Sequence, residues 1–379
     1  MFLLRSMPPE YATPTSGYKS SESSLANSLE FSDTKVLFPF VNWAYIGAGI
    51  VKKIGAGIKH VSPGDKVVLS FAYCTNCPAC NASVPGVCYN YMTQNNSGGR
   101  PDGTPTMYLP KKTHQPEPIH ASFFGQSSFS RLTICHGVSV IPVGKENDEI
   151  PMETLAAFGC GFQTGAGATI NVINPAVTKP RTLAVFGVGA VGFSALFAAK
   201  ASCPPETQII AMDLTASRLE LAREFGAKTI NGRDIDLKVD GSLRDVIRAL
   251  TGEVGLDAAI DTTGHTKLVA QIVQALAPLG KLVTLANSGW TAKVEIGLAD
   301  LMMGAKQWVG CIEGNAVPKT VSPIPFTSHR QFIPHLMELH RQGKFPVDRL
   351  CKVYKAKDIN KAIEDAESGE TIKPVLVWD

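Results

Sequence analysis

The stretch "FGVGAVG", Phe186–Gly192, decides the fold of this chain. It follows the strand-like "TLAVF" and opens the helix-like "AVGFSALFAAKA", and it sets Gly187, Gly189 and Gly192 in G-x-G-x-x-G spacing. In a strand-turn-helix setting the first glycine permits the tight turn and the second lets the backbone approach a pyrophosphate. The third allows the helix to pack close on the sheet. The helix start then offers free amides and the positive end of its dipole to an anion.

About 20 positions past the last glycine, Asp213 closes "QIIAMD", where a carboxylate can accept hydrogen bonds from a ribose. Asp213 could instead cap the following "ASRLELA" helix, but the whole spacing favours the ribose. An acid there repels a 2′-phosphate, so the expected cofactor is NAD(H) rather than NADP(H). Outward from this motif the pattern alternates. Strand-like "KTIN", "DAAIDTTG" and "GKLVTLANSG" are interleaved with helical "ASRLELAREFGA", "LRDVIRAL" and "TKLVAQIVQALA". Such alternation implies βαβ units and an α/β, doubly wound parallel sheet. The first 150 or so residues read as an irregular β-rich region, and the C-terminal part offers a helix in "RQFIPHLMELHRQG", strand-like "LCKVYKA", helical "INKAIEDAESG" and strand-like "KPVLVWD". A Pro-rich stretch, "NAVPKTVSPIPFTSH", reads as an exposed loop.

The second motif is "CTNCPACNASVPGVC", which spaces Cys74, Cys77, Cys80 and Cys88 as C-x2-C-x2-C-x7-C. Two-residue gaps let thiolates converge on one ion and a short loop returns the fourth, giving a closed tetrahedral site for one structural zinc. The polar flanks and lack of a second cluster motif favour zinc over an iron–sulfur cluster.

With 379 residues, 44% of them hydrophobic, the chain can bury the cores of two domains. Its 36 basic and 33 acidic residues are scattered, without the basic block that tracks phosphates, so nucleic acid is not an expected partner. The start does not read as a secretory signal, and a cytoplasmic protein is expected. The uncharged runs Thr154–Thr178 and Thr182–Ala199 contain glycines and polar residues or break into strand and helix, and both read as buried strand, loop and helix rather than membrane spans.

These two motifs, in this order and with this separation, resemble the zinc-containing medium-chain dehydrogenase/reductase family. "GAGIVKKIGAGIKHVSPGDKVVLSF", "FFGQSSFS" and "GCGFQTGAGA" are similar to family segments in the same order. The closing "FPVDRLCKVYKAKDINKAIEDAESGETIKPVLV" resembles the aryl- or benzyl-alcohol dehydrogenase-like branch. The resemblance runs from about residue 37 to the end, apart from about 316–328. It implies a GroES-like catalytic domain over 1–161 and 312–379, with its zinc lobe at about 72–92, and a Rossmann NAD-binding domain over 162–311. It also implies a homodimer or homotetramer joined through the Rossmann sheets, acting on a small-molecule alcohol or carbonyl compound.

The resemblance places Thr164 near the nicotinamide, Arg218 beside the adenosine ribose and Lys373 at the pyrophosphate. It also implies a catalytic zinc held by a Cys-His motif, a Gly-His-Glu motif and a later cysteine. Of these ligands only the last is matched, by Cys160. The Gly-His-Glu positions fall on Ala44, Tyr45 and Ile46, the Cys-His position falls near "SSESSLA", and no cysteine or histidine precedes His60. Relative to the family the chain begins about twenty residues late, implying a shortened or rebuilt first sheet. One strong ligand does not hold a catalytic zinc, so the expectation is a retained structural zinc and a lost catalytic one. Three functions remain open at this point. One is a zinc-independent NAD(H) oxidoreductase of an aromatic, enone or aldehyde substrate, with Tyr45 stabilising the developing oxyanion. Another is a non-redox isomerase, cyclase or lyase using Cys160, and the third is a non-catalytic partner subunit.

Overall fold

A computed structural model of the chain describes residues 28–37, 46–100, 104, 107–109, 117–119, 122–126, 130–286, 288–318 and 332–378. Tyr45, the "SSESSLA" stretch and most of the Pro-rich segment lie outside them. The strands in chain order are β1 (Ser28–Leu37), β2 (Ile46–Ile54), β3 (Lys66–Leu69), β4 (Met107–Leu109), β5 (Glu117–Ile119), β6 (Thr133–His136), β7 (Val140–Pro142), β8 (Thr182–Phe186), β9 (Gln208–Asp213), β10 (Lys228–Asn231), β11 (Leu256–Asp261), β12 (Leu276–Thr284), β13 (Gln307–Gly310), β14 (Cys351–Lys355) and β15 (Lys373–Val377).

Six of them form one sheet in the order β10-β9-β8-β11-β12-β13, parallel throughout. The reason lies in the strands themselves. Every residue of β8, "TLAVF", is buried, and a strand covered on both faces needs helices above and below, which the βαβ crossovers supply. The Ala190–Ser202 helix is buried along most of its length, as its alanines permit. The strand order reverses between β8 and β11, and in such sheets the crevice outside the strand ends at that point is the ligand site.

A second sheet runs β14-β15-β1-β2-β3-β7, with β6 also beside β1. Strands from both ends of the chain are therefore hydrogen-bonded neighbours, with Val36 opposite Leu376. A short two-stranded sheet, β4-β5, stands apart.

The uncharged run Thr154–Thr178 corrects the sequence reading, because it contains no strand. It is a nearly continuous helical segment, with π-helical turns at Phe158–Phe162 and Ala168–Ile173. Its glycines explain the difference. A Cβ on Gly159 would lie 1.9 Å from the Leu69 carbonyl oxygen and one on Gly165 would lie 2.0 Å from that of Val191, so this helix wedges between the two sheets by touching backbone directly. Among the described residues no helix is long and apolar enough to cross a membrane.

Candidate functional site

The glycine turn after β8 has the geometry that dinucleotide binding needs. Gly187 takes φ +84°, and a Cβ there would strike Thr262 Oγ1 at 2.5 Å. Its amide donates to the Met212 carbonyl at 2.8 Å, tying the turn to β9. A Cβ on Gly192 would lie 2.0 Å from the Gly187 carbonyl oxygen, whereas Gly189 faces open space. The Ala190–Ser202 helix starts at Gly189 with no side chain capping it, so its first amides remain for an anion.

Asp213 is not a helix cap. Thr215 occupies the N-cap position of the Ala216–Glu224 helix, and Asp213 instead accepts the Val188 amide at 2.8 Å and the Thr215 amide at 2.9 Å. Arg218 Nη1 stands 3.9 Å from Asp213 Oδ2, and its buried Nε has no partner among the described residues. A rigid acid at the strand end, an arginine with an unused donor and an open glycine face fit an adenosine ribose and pyrophosphate.

A buried polar cluster surrounds Cys160. Cys160 sits in the first π-helical turn, a helix irregularity that recurs at functional sites. Its thiol donates to Glu313 Oε1 at 3.4 Å, while Gln163 Nε2 donates to Glu313 Oε2 at 2.8 Å, to Ser70 Oγ at 2.8 Å and to the Gly159 carbonyl at 2.7 Å. The Thr164 side chain acts on the Cys160 thiol as well, favouring its charged form. Lys373, fully buried on β15, has no hydrogen-bond partner for its Nζ among the described residues, and that atom lies 3.7 Å from where a Cβ on Gly161 would stand.

Burial dominates the protonation of this cluster. It pushes the Glu313 carboxyl up to about 7, against the opposing hydrogen bonds from Gln163 and Cys160 and the charge of Lys373. It also draws the Lys373 ammonium down to about 8, with Cys160, Cys351 and Glu313 pulling the other way. The Cys160 thiol is held well above its usual range by burial and then by the Glu313 charge. Tyr91, which is also pushed up by burial, feels the charges of Glu313 and Cys160.

The four cysteines of the second motif converge. Sγ–Sγ separations are 3.5 Å for Cys77–Cys80 and 3.9 Å for both Cys74–Cys80 and Cys77–Cys88. Thiolates about 2.3 Å from a tetrahedral zinc stand roughly 3.8 Å apart, so the cluster fits that ion. The Cys74 amide points at Cys88 Sγ (3.4 Å) and the Tyr89 amide at Cys77 Sγ (3.5 Å), which supports charged sulfurs. Among the described residues this is the sole group of three or more His, Cys, Asp or Glu placed to hold a metal. Among the described residues the groups around Cys160 are the Glu313 carboxyl, the Gln163 amide, the Thr164 hydroxyl and the Lys373 ammonium, with no second thiol or imidazole beside them.

The structure thus brings Gly187, Gly189, Gly192, Asp213 and Arg218 together at the turn after β8, Cys160, Thr164 and Lys373 into one buried cluster, and Cys74, Cys77, Cys80 and Cys88 into a separate lobe. Glu313, Gln163, Ser70 and Tyr91 were not visible as site residues from the sequence. Glu313 stands alone in "CIEGNA", and its partners lie some 150 positions away, so no local spacing marks it.

Two family models match the chain. One, described as zinc-binding dehydrogenase, matches residues 190–324, and the other, described as alcohol dehydrogenase GroES-like domain, matches residues 31–118. A geraniol dehydrogenase of Castellaniella defragrans is 35% identical over 333 residues, covering 88% of this chain and 82% of its own. Among solved structures, an alcohol dehydrogenase zinc-binding domain protein from Burkholderia ambifaria is 34% identical with TM-score 0.80, and the benzyl alcohol dehydrogenase of Acinetobacter calcoaceticus is 32% identical with TM-score 0.79. Each match covers 93% of this chain and 92% of the other.

Proposed function

Since this chain belongs to the zinc-type alcohol dehydrogenase family of NAD-dependent medium-chain dehydrogenases/reductases, we propose that it moves hydride between NAD(H) and an aryl, allylic or enone-type alcohol or carbonyl compound, without a zinc ion at its reaction centre. The observation that carries this reading is the set of groups around Cys160. Cys160, at the one ligand position the chain matches, has the Glu313 carboxyl on its thiol, and among the described residues no second cysteine or histidine joins it in a metal-binding group. The ligand-poor sequence before His60 supports the same reading.

NAD(H), when bound, supplies or takes up the hydride. The glycine turn and the amides of the Ala190–Ser202 helix would hold its pyrophosphate, with Asp213 and Arg218 on the adenosine ribose, Thr164 near the nicotinamide and Lys373 as the inner cation. Hydrogen-bond donors must then steady the developing oxyanion in place of a Lewis acid. That task is assigned to Tyr45, because the Cys160 thiol, kept protonated by burial, already donates to Glu313. A buried neutral thiol is a poor nucleophile, which weighs against covalent non-redox chemistry at Cys160. The substrate class rests on two relatives whose names specify geraniol and benzyl alcohol, both of which carry the carbinol beside a π system.

The four-cysteine lobe would hold one structural zinc, and two copies would associate along the β13 edge. There Leu279, Leu298, Met302 and Met303 are exposed beside the half-exposed Trp308, and an uncovered parallel edge strand is a natural pairing surface. The deciding experiment combines zinc per chain with transfer of deuterium from labelled NADH to aryl and allylic aldehydes and enones. Label in the product at one zinc per chain supports the reading. Turnover that rises only with a second zinc, or product formed without NADH consumption, refutes it.

A further inference from the structure

Glu313 is held by an unusual piece of backbone. Glu313, Gly314 and Asn315 take φ values of 52°, 70° and 47°, three successive left-handed residues of which two carry a Cβ. Each non-glycine residue in that region costs about 1 kcal/mol or more. Such a run persists only where its surroundings over-determine it, and here it is gripped from two sides.

On the inner side, a Cβ on Gly314 would lie 2.3 Å from the Gln163 carbonyl oxygen, one on Gly167 would lie 2.3 Å from that of Gly314, and Asn171 Nδ2 donates to the Gly314 carbonyl at 3.0 Å. On the outer side the grip comes from the cysteine lobe. A Cβ on Gly86, two residues before Cys88, would stand 2.4 Å from the Ile312 carbonyl oxygen. The lobe is tied to the helical turn that follows it by the Tyr91 amide, which donates to the Cys88 carbonyl at 2.8 Å. The turn therefore fits only while the 85–88 loop keeps its shape, and that loop is shaped by a cysteine of the metal-binding group.

We propose that the four-cysteine lobe is the outer half of a clamp that positions Glu313 against Cys160, so that metal in the lobe governs the arrangement of the reaction centre as well as the lobe's own fold. Glu313 is then a positioning residue, acting through the Cys160 thiol and Gln163. When the lobe loses its metal, the 85–88 loop relaxes, the strained turn relaxes with it, and Cys160 loses the carboxyl that covers it. The relevance to turnover rests on the oxidoreductase reading, whereas the coupling itself is a property of the fold.

The test therefore needs neither NADH nor substrate. Full-length protein is stripped of zinc with a chelator and titrated with zinc alone, and alkylation of each cysteine by iodoacetamide is followed by peptide mass spectrometry. Cys160 in the stripped protein is expected to react about tenfold faster or more, with re-added zinc restoring protection. Cys135, also buried but on β6 and outside the clamp, should not change. Gly86→Ala should accelerate Cys160 alkylation while retaining wild-type zinc content. Its kcat should fall while the KM for NADH stays put, because the glycine turn after β8 is untouched. Protection of Cys160 that is indifferent to zinc overturns the proposal, as does parallel exposure of Cys160 and Cys135, which would mean general loosening. Should Gly86→Ala not fold, the zinc titration on the wild-type chain decides alone.

Discussion

Replacing Glu313 with glutamine isolates the cost of burying one acid. In the folded chain its carboxyl stands at about 7, against an ordinary value of 4.5, chiefly because it is removed from water. Between these two pH values the unfolded chain has released the proton that the folded chain retains, so folding stability falls as pH rises through this window, and the loss is complete above pH 7. At about 1.4 kcal/mol per pH unit the gap corresponds to roughly 3 kcal/mol. Lys373, drawn down to about 8, keeps most of its charge through this range and leaves the sign unchanged. Glutamine retains the shape, can accept from Gln163 through its carbonyl and has no proton to lose. Urea unfolding of zinc-loaded wild type and Glu313→Gln should therefore show the difference in stability moving toward the variant by about 2–3 kcal/mol between pH 4.5 and pH 7.5. A difference that stays constant with pH would mean that Glu313 ionises like a solvated carboxylate, and the buried cluster as described would be wrong.

Cys77→Ser should lower zinc content and destabilise the lobe by several kcal/mol, because three thiolates hold the ion far less well than four; an unchanged melting temperature with unchanged zinc would remove the structural-zinc assignment. Cys160→Ala should leave zinc stoichiometry as it was, and a lost equivalent would reveal a second metal site. Asp213→Ser should weaken NADH binding about tenfold and narrow the preference over NADPH, as fluorescence titration with both would show, and an unaltered ratio would take Asp213 off the ribose.

The six-stranded sheet was legible because its signals are local. The turn at Phe186–Gly192, the buried "TLAVF" and the acid ending "QIIAMD" each carry their meaning within a few residues, and β8, the Ala190–Ser202 helix and β9 follow from them. The cysteine lobe was legible for the same reason, since its four cysteines fall within fifteen positions. The run Thr154–Thr178 misled because glycine and alanine in low-polarity sequence satisfy strand, loop and helix patterns alike. What makes it a helix is contact with Leu69 and Val191, which no window on the sequence contains. Glu313 escaped notice on similar grounds. Its depth in the protein depends on a left-handed turn pressed between two segments about 150 and about 230 positions earlier in the chain.

The pairing of β1 with β15 also fixes an order of assembly. Every strand of the parallel sheet comes from residues 182–310, so this half can close on itself as soon as it leaves the ribosome. The other sheet sets Val36 against Leu376, and an antiparallel ladder spanning more than 300 residues forms slowly because its loop-closure entropy is met before any contact rewards it. During synthesis β1 therefore waits with an open edge until residues 373–377 arrive, and Lys373, which travels on β15, joins the buried cluster around Cys160 only then. The parallel sheet with its glycine turn is built first, and the buried polar cluster is completed after it.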